Sequence, residues 1–279
     1  MEYADNVSYW IDCEREIKSI INSFSILFQN ENKIRDGLFD EQMVGHLAYT
    51  HIKKFGLVMV DTFMSKYYSE IYGFNKIEIM KLLKSQLNDL ISALEIYLST
   101  IVGIANLKPI KELDEIHPRY VISFNYTDTY KIYGIDPSNV FHVHGKIDSQ
   151  PNNMVLGFND SDPENLDFIY FKKYFQRIQK LTGFLERKTI LNKNEISGYC
   201  ESPTVYFYGH SLDKTDEDII IELIDLSRKV YIYTKDQEDY EQKVINLISL
   251  FEKEKATEMI QQKKIEFVPI KNNETIDPM

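Results

Sequence analysis

The 279-residue sequence is 43% hydrophobic and 27% charged, a balance that excludes a disordered or fibrous chain and allows one large domain or two small ones. Its net charge of −11 argues against broad attraction to nucleic acid or anionic lipid, and no run of Lys and Arg stands out. Cys13 and Cys200 are the only cysteines, which leaves room for one bridge at most and reads as two reduced thiols.

The first sixteen residues are polar and acidic, with no apolar core of a signal peptide. The longest apolar runs, such as Ile219-Ile220-Ile221, are far too short to span a bilayer. The expectation is a cytoplasmic protein with no membrane or nucleic-acid partner.

The character of the chain changes near Pro109. Before it, residues 10–29 and 40–71 read as helical, joined by connections at 33–37 and 73–75. Met80, Leu83, Leu87, Leu90, Leu94, Tyr97 and Ile101 follow steps of three and four, which predicts one long helix packed along that stripe. After Pro109, strand-like runs at 120–125, 140–144, 154–158, 204–208, 229–234 and 265–270 alternate with helical stretches at 128–133, 166–185, 216–226 and 237–255. Thr215 with Asp218 three residues on has the spacing of a capping box for the third of these.

Continuous apolar runs such as Val205-Tyr206-Phe207-Tyr208 fit strands covered on both faces. The fold class expected is therefore α/β, Rossmann-like, with a largely parallel sheet, flanking helices and a helical amino-terminal region. Residues 1–115 are expected to form a helical region packed on an α/β core at 116–279, the two making one structural unit.

In such sheets ligands sit outside the carboxyl ends of the strands. Three strands end there in polar residues. The first delivers Asn125-Tyr126-Thr127-Asp128, where Asn125 both donates and accepts hydrogen bonds and suits a water, a carboxamide or a ribose hydroxyl. Asn125, Thr127 and Asp128 equally suit helix capping. The second delivers His144-Gly145: a rim histidine suits general-base work, and Gly145 permits a positive φ or close backbone approach. His142 and His144 have the spacing of two metal ligands, but no third ligand stands at a telling distance, so no metal is expected. The third delivers Gly209-His210-Ser211-Leu212-Asp213 ahead of a helix, a place for ribose or phosphate oxygens at backbone N–H groups. Asp213, Asp216, Glu217 and Asp218 crowd that end with carboxylates and favour ribose over bare phosphate.

Together, Phe124-Asn125-Tyr126-Thr127-Asp128-Thr129, His142-Val143-His144-Gly145, Gly209-His210-Ser211-Leu212-Asp213-Lys214-Thr215-Asp216 and Tyr9-Trp10-Ile11-Asp12-Cys13-Glu14 resemble the AbiH family of bacteriophage abortive-infection proteins. That family is distantly similar to sirtuin-like domains of other phage-defence proteins, which bind NAD and split nicotinamide from ribose. The resemblance implies NAD as substrate, with Asn125 and His144 catalytic and Thr127, Asp128, Gly145, Gly209, Ser211 and Asp213 binding the nucleotide. It departs from the sirtuin pattern at Thr127, where an acidic residue is expected. The family also opens with a strand and a Gly-x-Gly-Phe-Asp turn for the pyrophosphate, which this sequence does not show; a late start or a partner would account for that, and open sheet edges are expected. Two functions follow: an anti-phage NAD glycohydrolase, or a non-catalytic module that senses a phage component or binds a partner protein.

Overall fold

In the computed structural model, the residues described are 9–29, 31–32, 66–69, 71–102, 108–159, 166–183 and 202–270. They fall into two compact units. One comprises Met1–Ile101 with Met154–Gln179, the other Val102–Asn153 with Lys180–Met279. The segment 154–179 thus groups with the amino-terminal residues.

The first unit contains α1 (Tyr9–Gln29), a short antiparallel pair β1 (Tyr68–Ser69) and β2 (Gly73–Phe74), and most of α2 (Lys76–Val102). Helix α1 buries Ile17, Ile21, Phe24 and Phe28, successive turns of one face, and Phe28 stacks on Phe168 at 5.8 Å. Asn75 starts α2 by accepting the Glu78 N–H at 3.2 Å. The buried line of α2 runs through Ile79, Leu83, Leu87 and Ile91, in steps of four. Leu90 and Tyr97 of the expected stripe are 40% and 61% exposed, so the packed face is rotated and confined to the first half of the helix. The helix expected over 40–71 lies almost wholly outside the described residues.

Two expectations fail in the segment 154–179. Residues 154–158 are extended and buried but form no strand, only an isolated bridge from Phe158 to Lys172. Their neighbour is a side chain: the Gln176 amide accepts from Leu156 N–H at 3.2 Å and donates to Leu156 O at 2.8 Å. The long helix expected at 166–185 is a 3₁₀ turn, Ile169–Phe171, then a short helix, α4 (Lys173–Gln179). Lys172 is extended between them, which breaks the helical run at the residue that makes the bridge.

The second unit begins with α3 (Lys111–Asp114) and a parallel pair, β3 (Val121–Ser123) with β4 (Val140–His142). Its larger sheet is β5 (Thr204–Phe207), β6 (Lys229–Thr234) and β7 (Ile265–Pro269), all parallel, in that order. Helices α5 (Glu217–Leu226), α6 (Gln237–Phe251) and α7 (Lys253–Gln261) connect and cover it. The architecture is mixed α/β with small parallel sheets; among the described residues these form two sheets rather than one.

Along β6 burial alternates: Val230, Ile232 and Thr234 are buried, while Lys229, Tyr231 and Tyr233 are half-buried. The buried face packs on Ile219, Ile220, Leu223 and Ile224 of α5 and on Leu247 and Phe251 of α6. The other face carries a tyrosine ladder, Tyr206 on Tyr231 and Tyr208 on Tyr233, each pair 5.2 Å apart. The expectation that both faces are fully covered does not hold for this sheet.

The helix expected over 237–255 is broken at Glu252, whose φ of 63° cannot continue α6. The capping box is also displaced. Asp213, not Thr215, caps a 3₁₀ turn by accepting the Thr215 N–H at 2.9 Å, and α5 follows from Glu217. No described helix is long and apolar enough to cross a membrane.

Candidate functional site

The carboxyl ends of β3, β4 and β5 converge within the second unit. Backbone pairing of β3 with β4 continues past the strands, Val143 N–H donating to Ser123 O at 3.0 Å, so that the residues after each strand emerge side by side. Phe124 then packs edge-on against His210, which follows β5, with ring centres 4.2 Å apart, and against His144 at 5.6 Å.

At the centre of this convergence stands Asp216. One carboxylate oxygen lies 3.1 Å from His144 Nε2 and the other 3.8 Å from His210 Nε2. Leu212 N–H donates to His210 Nδ1 at 2.9 Å, which assigns that ring's proton to Nε2, on the side of Asp216. The Ser211 carbonyl accepts from Asn246 Nδ2 at 2.8 Å, and the Ser211 hydroxyl accepts from Asp213 N–H at 3.3 Å. These bonds hold the turn after β5 in one shape. Gly209 supports that shape with a φ of +68°.

His142 and Asp128 form a second, adjoining cluster. His142 Nδ1–H donates to the Asn125 carbonyl at 3.0 Å, and Nε2 lies 3.4 Å from Asp128. Burial pushes the His142 ring below the ordinary imidazole range, against the opposing pull of the Asn125 carbonyl and Asp128. Burial would raise the Asp128 carboxyl, but the hydrogen bond from Lys131 and the charges of Lys146, Lys131 and His142 hold it below the usual carboxylate range. Lys131 is 2.7 Å away and Lys146 is 3.6 Å away. Asp128 is thus paired with two lysine ammonium groups.

A cavity of about 850 Å³ opens beside these clusters. Asn125, Gly209 and His210 border it. The Asn125 side chain is exposed there, while its backbone carbonyl orients His142. His144 is 4% exposed and Thr127 8%, and neither borders the cavity, nor do Asp128, Gly145, Ser211 and Asp213. Gly145 is placed by packing: its φ is +72° and a Cβ would run into the Asn153 carbonyl. The structure therefore gathers the three motifs but sorts them into a cavity wall (Asn125, Gly209, His210), buried residues (Thr127, His144, Gly145) and half-buried residues away from the cavity (Asp128, Ser211, Asp213).

Asp216 and His210 were not among the residues selected from the sequence, although both stand within quoted motifs. Asp216 resembles an ordinary helix-start carboxylate, and only the fold brings the two imidazoles to it. Thr182 had no signal at all: it is 2% exposed and donates to the Val143 carbonyl at 3.0 Å.

Parallel strands whose carboxyl ends carry a buried carboxylate between two imidazoles, beside a cavity, define an α/β protein with a strand-end site. The family comparison is more particular. The model of the bacteriophage abortive infection AbiH family matches residues 1–236, and the chain belongs to that family. Neither the curated proteins nor the solved structures compared with it gave a match. Membership gives the chain a role in abortive-infection defence against phage.

Proposed function

We propose that the chain serves this defence by binding NAD, or a related nucleotide, at the carboxyl ends of β3, β4 and β5 and hydrolysing its nicotinamide–ribose bond. The observation that carries the reading is the Asp216 carboxylate shared by His144 and His210, next to the exposed Asn125 at the cavity wall. Carboxylate–imidazole pairing orients a base, and a carboxamide beside it can hold a ribose hydroxyl or a water. Parallel strands ending at one site support a Rossmann-like reading of the fold.

In the reaction the C–N bond breaks through an oxocarbenium-like state, nicotinamide leaves, and water adds to the ribose carbon. Asn125 orients the ribose or that water. His144, oriented by Asp216, takes the proton of the water as general base, while His210, whose two ring nitrogens face Leu212 N–H and Asp216, forms the wall beside it. Gly209 and the turn through Ser211 and Asp213 approach the ribose side of the ligand, and Thr127, Asp128 and Gly145 shape the support beneath it.

The reading is tested by incubating the chain with NAD and following nicotinamide release. Turnover abolished in Asn125→Ala and His144→Ala supports it; undiminished turnover in both overturns the site. A second reading, a non-catalytic module that binds a partner, draws on one observation: His144 is 4% exposed and away from the cavity. Nucleotide binding without nicotinamide release, or neither, favours that second reading.

A further inference from the structure

The backbone of Asn125 is held from two sides, and one of them depends on a proton. Asn125 N–H donates to Ser123 Oγ at 3.3 Å, and that hydroxyl reaches the Asn125 carbonyl at 3.2 Å. The second hold on the carbonyl is His142 Nδ1–H, at 3.0 Å. A carbonyl can only accept, so the neutral ring carries its proton on Nδ1 and a lone pair on Nε2.

That lone pair faces a carboxylate. His142 Nε2 lies 3.4 Å from Asp128 Oδ1, three residues beyond Asn125, and the His142 side chain is 10% exposed. Both atoms are buried, and among the described residues neither has a hydrogen-bond partner. Two buried acceptors set face to face destabilise each other. One proton on Nε2 turns the contact into a charge-assisted N–H···O bond.

The charged and titratable groups around the ring come from four segments. Asp128 belongs to the turn after β3. The 3₁₀ turn Thr129–Tyr133 brings Lys131 to the other Asp128 oxygen, at 2.7 Å, and the Tyr130 ring edge-on to the imidazole, at 5.8 Å. Beyond β4 come His144 and then Lys146, whose Nζ is 3.6 Å from Asp128 Oδ1. Gly183 N–H donates to the His142 carbonyl at 3.1 Å, which lays the segment carrying Lys180 along β4. Lys146 competes with a charged His142 for one oxygen, and at 40% exposure it can withdraw to water.

We propose that His142 is a proton-operated positioning residue: when Nε2 takes up a proton from solvent, the imidazolium bridges the Asn125 carbonyl to the Asp128 carboxylate and fixes the turn that carries the Asn125 side chain. The ring then pins both ends of residues 125–128 at once, where the neutral ring pins one. Burial disfavours the charged ring, so the bridge closes below pH 6.5 and is open at neutral pH. The consequence for catalysis rests on the nucleotide reading above: acidification should improve the hold on a ribose at Asn125. The coupling between His142 and Asn125 does not depend on that reading.

The test is an NMR titration of the full chain between pH 7.5 and pH 5, with ¹⁵N in the imidazoles and the backbone. His142 Nε2 should read as unprotonated at pH 7.5 and become protonated with a midpoint below 6.5. The backbone amides of Asn125 and Asp128 should shift with that same midpoint. Asp128→Asn should lower the midpoint by at least about half a pH unit, and Lys146→Gln should raise it, because one removes an attracting charge and the other a repelling one. In His142→Asn the carboxamide can still donate to the Asn125 carbonyl but cannot titrate, so the Asn125 shift should vanish. Asn125 amide shifts that ignore the His142 midpoint overturn the proposal, as does a midpoint unmoved in both charge variants. If the chain releases nicotinamide from NAD, KM should fall with the His142 midpoint while His142→Asn shows no such step; a KM independent of pH in the unaltered chain overturns the catalytic consequence. Coupled titration without any nicotinamide release upholds the clamp and counts against the nucleotide reading alone.

Discussion

His144 Nε2 lies 3.1 Å from Asp216 Oδ1, and both residues are buried, at 4% and 7% exposure. One comes from the turn after β4 and the other from the turn into α5, so this contact, with the packing of Phe124 on His210, ties the two parallel sheets of the unit at their carboxyl ends.

Asp216→Asn keeps the shape but removes the charge that faces two imidazoles. A hydrogen bond to a charged group contributes about 1.5–3 kcal/mol. The variant should lose about 2 kcal/mol in urea denaturation, with an unchanged slope. A loss below about 0.5 kcal/mol would mean that Asp216 does not hold the sheets together.

Gly145 and Gly209 have similar positive φ values, +72° and +68°, but different surroundings. An alanine at 145 meets the Asn153 backbone, whereas at 209 the space is open. Gly209→Ala should cost about 1–2 kcal/mol, the conformational term alone. Gly145→Ala should cost more than about 3 kcal/mol or prevent folding, as strain and overlap combine. Thermal denaturation of the pair reads the difference.

His142 gives a pH dependence. Its folded pKa is lowered from 6.5 by burial, with the Asn125 carbonyl, Asp128 and Lys146 also facing it. The unfolded state therefore binds the proton first as pH falls, and stability drops as pH is lowered through about 6.5 toward the folded value. The melting temperature should be lower at pH 5.5 than at pH 7.5, and His142→Asn should shrink that difference. An equal pH response in the variant would assign it to other groups.

Lys180 has its pKa lowered to about 8 by burial. A lysine amine of that pKa is about half unprotonated at pH 8 and reacts as a nucleophile there. Acylation by an amine-directed reagent at pH 8, mapped by mass spectrometry, should modify Lys180 early relative to its degree of burial. Modification only above pH 10 would contradict the shift.

Much of the second unit was legible from the residues. Strand β6 falls on 229–234, as its run of Val, Tyr and Ile predicts, and Gly134 ends the 3₁₀ turn after β3 with a left-handed φ of 65°. Residues 154–158 misled because an apolar extended run looks the same whether its backbone partner is a strand or the amide of Gln176. The break at Glu252 was hidden because a non-glycine residue with positive φ leaves no signature. The site was legible as three motifs at strand ends. Its centre was not, because Asp216 acquires its role only when His144 and His210 are brought to it across the fold. Nor could the sequence show the buried pair of Glu14 and Lys173, 2.8 Å apart in the first unit.

The account's central claim is that Asn125, His210, His144 and Asp216 form the working site of a phage-defence protein. The most direct measurement is the plating efficiency of phage on a bacterial host expressing the chain, beside hosts expressing Asn125→Ala and His210→Ala at equal protein level. The account predicts fewer plaques with the unaltered chain and restoration of plating by both substitutions. Protection that is equally strong in both variants would contradict it.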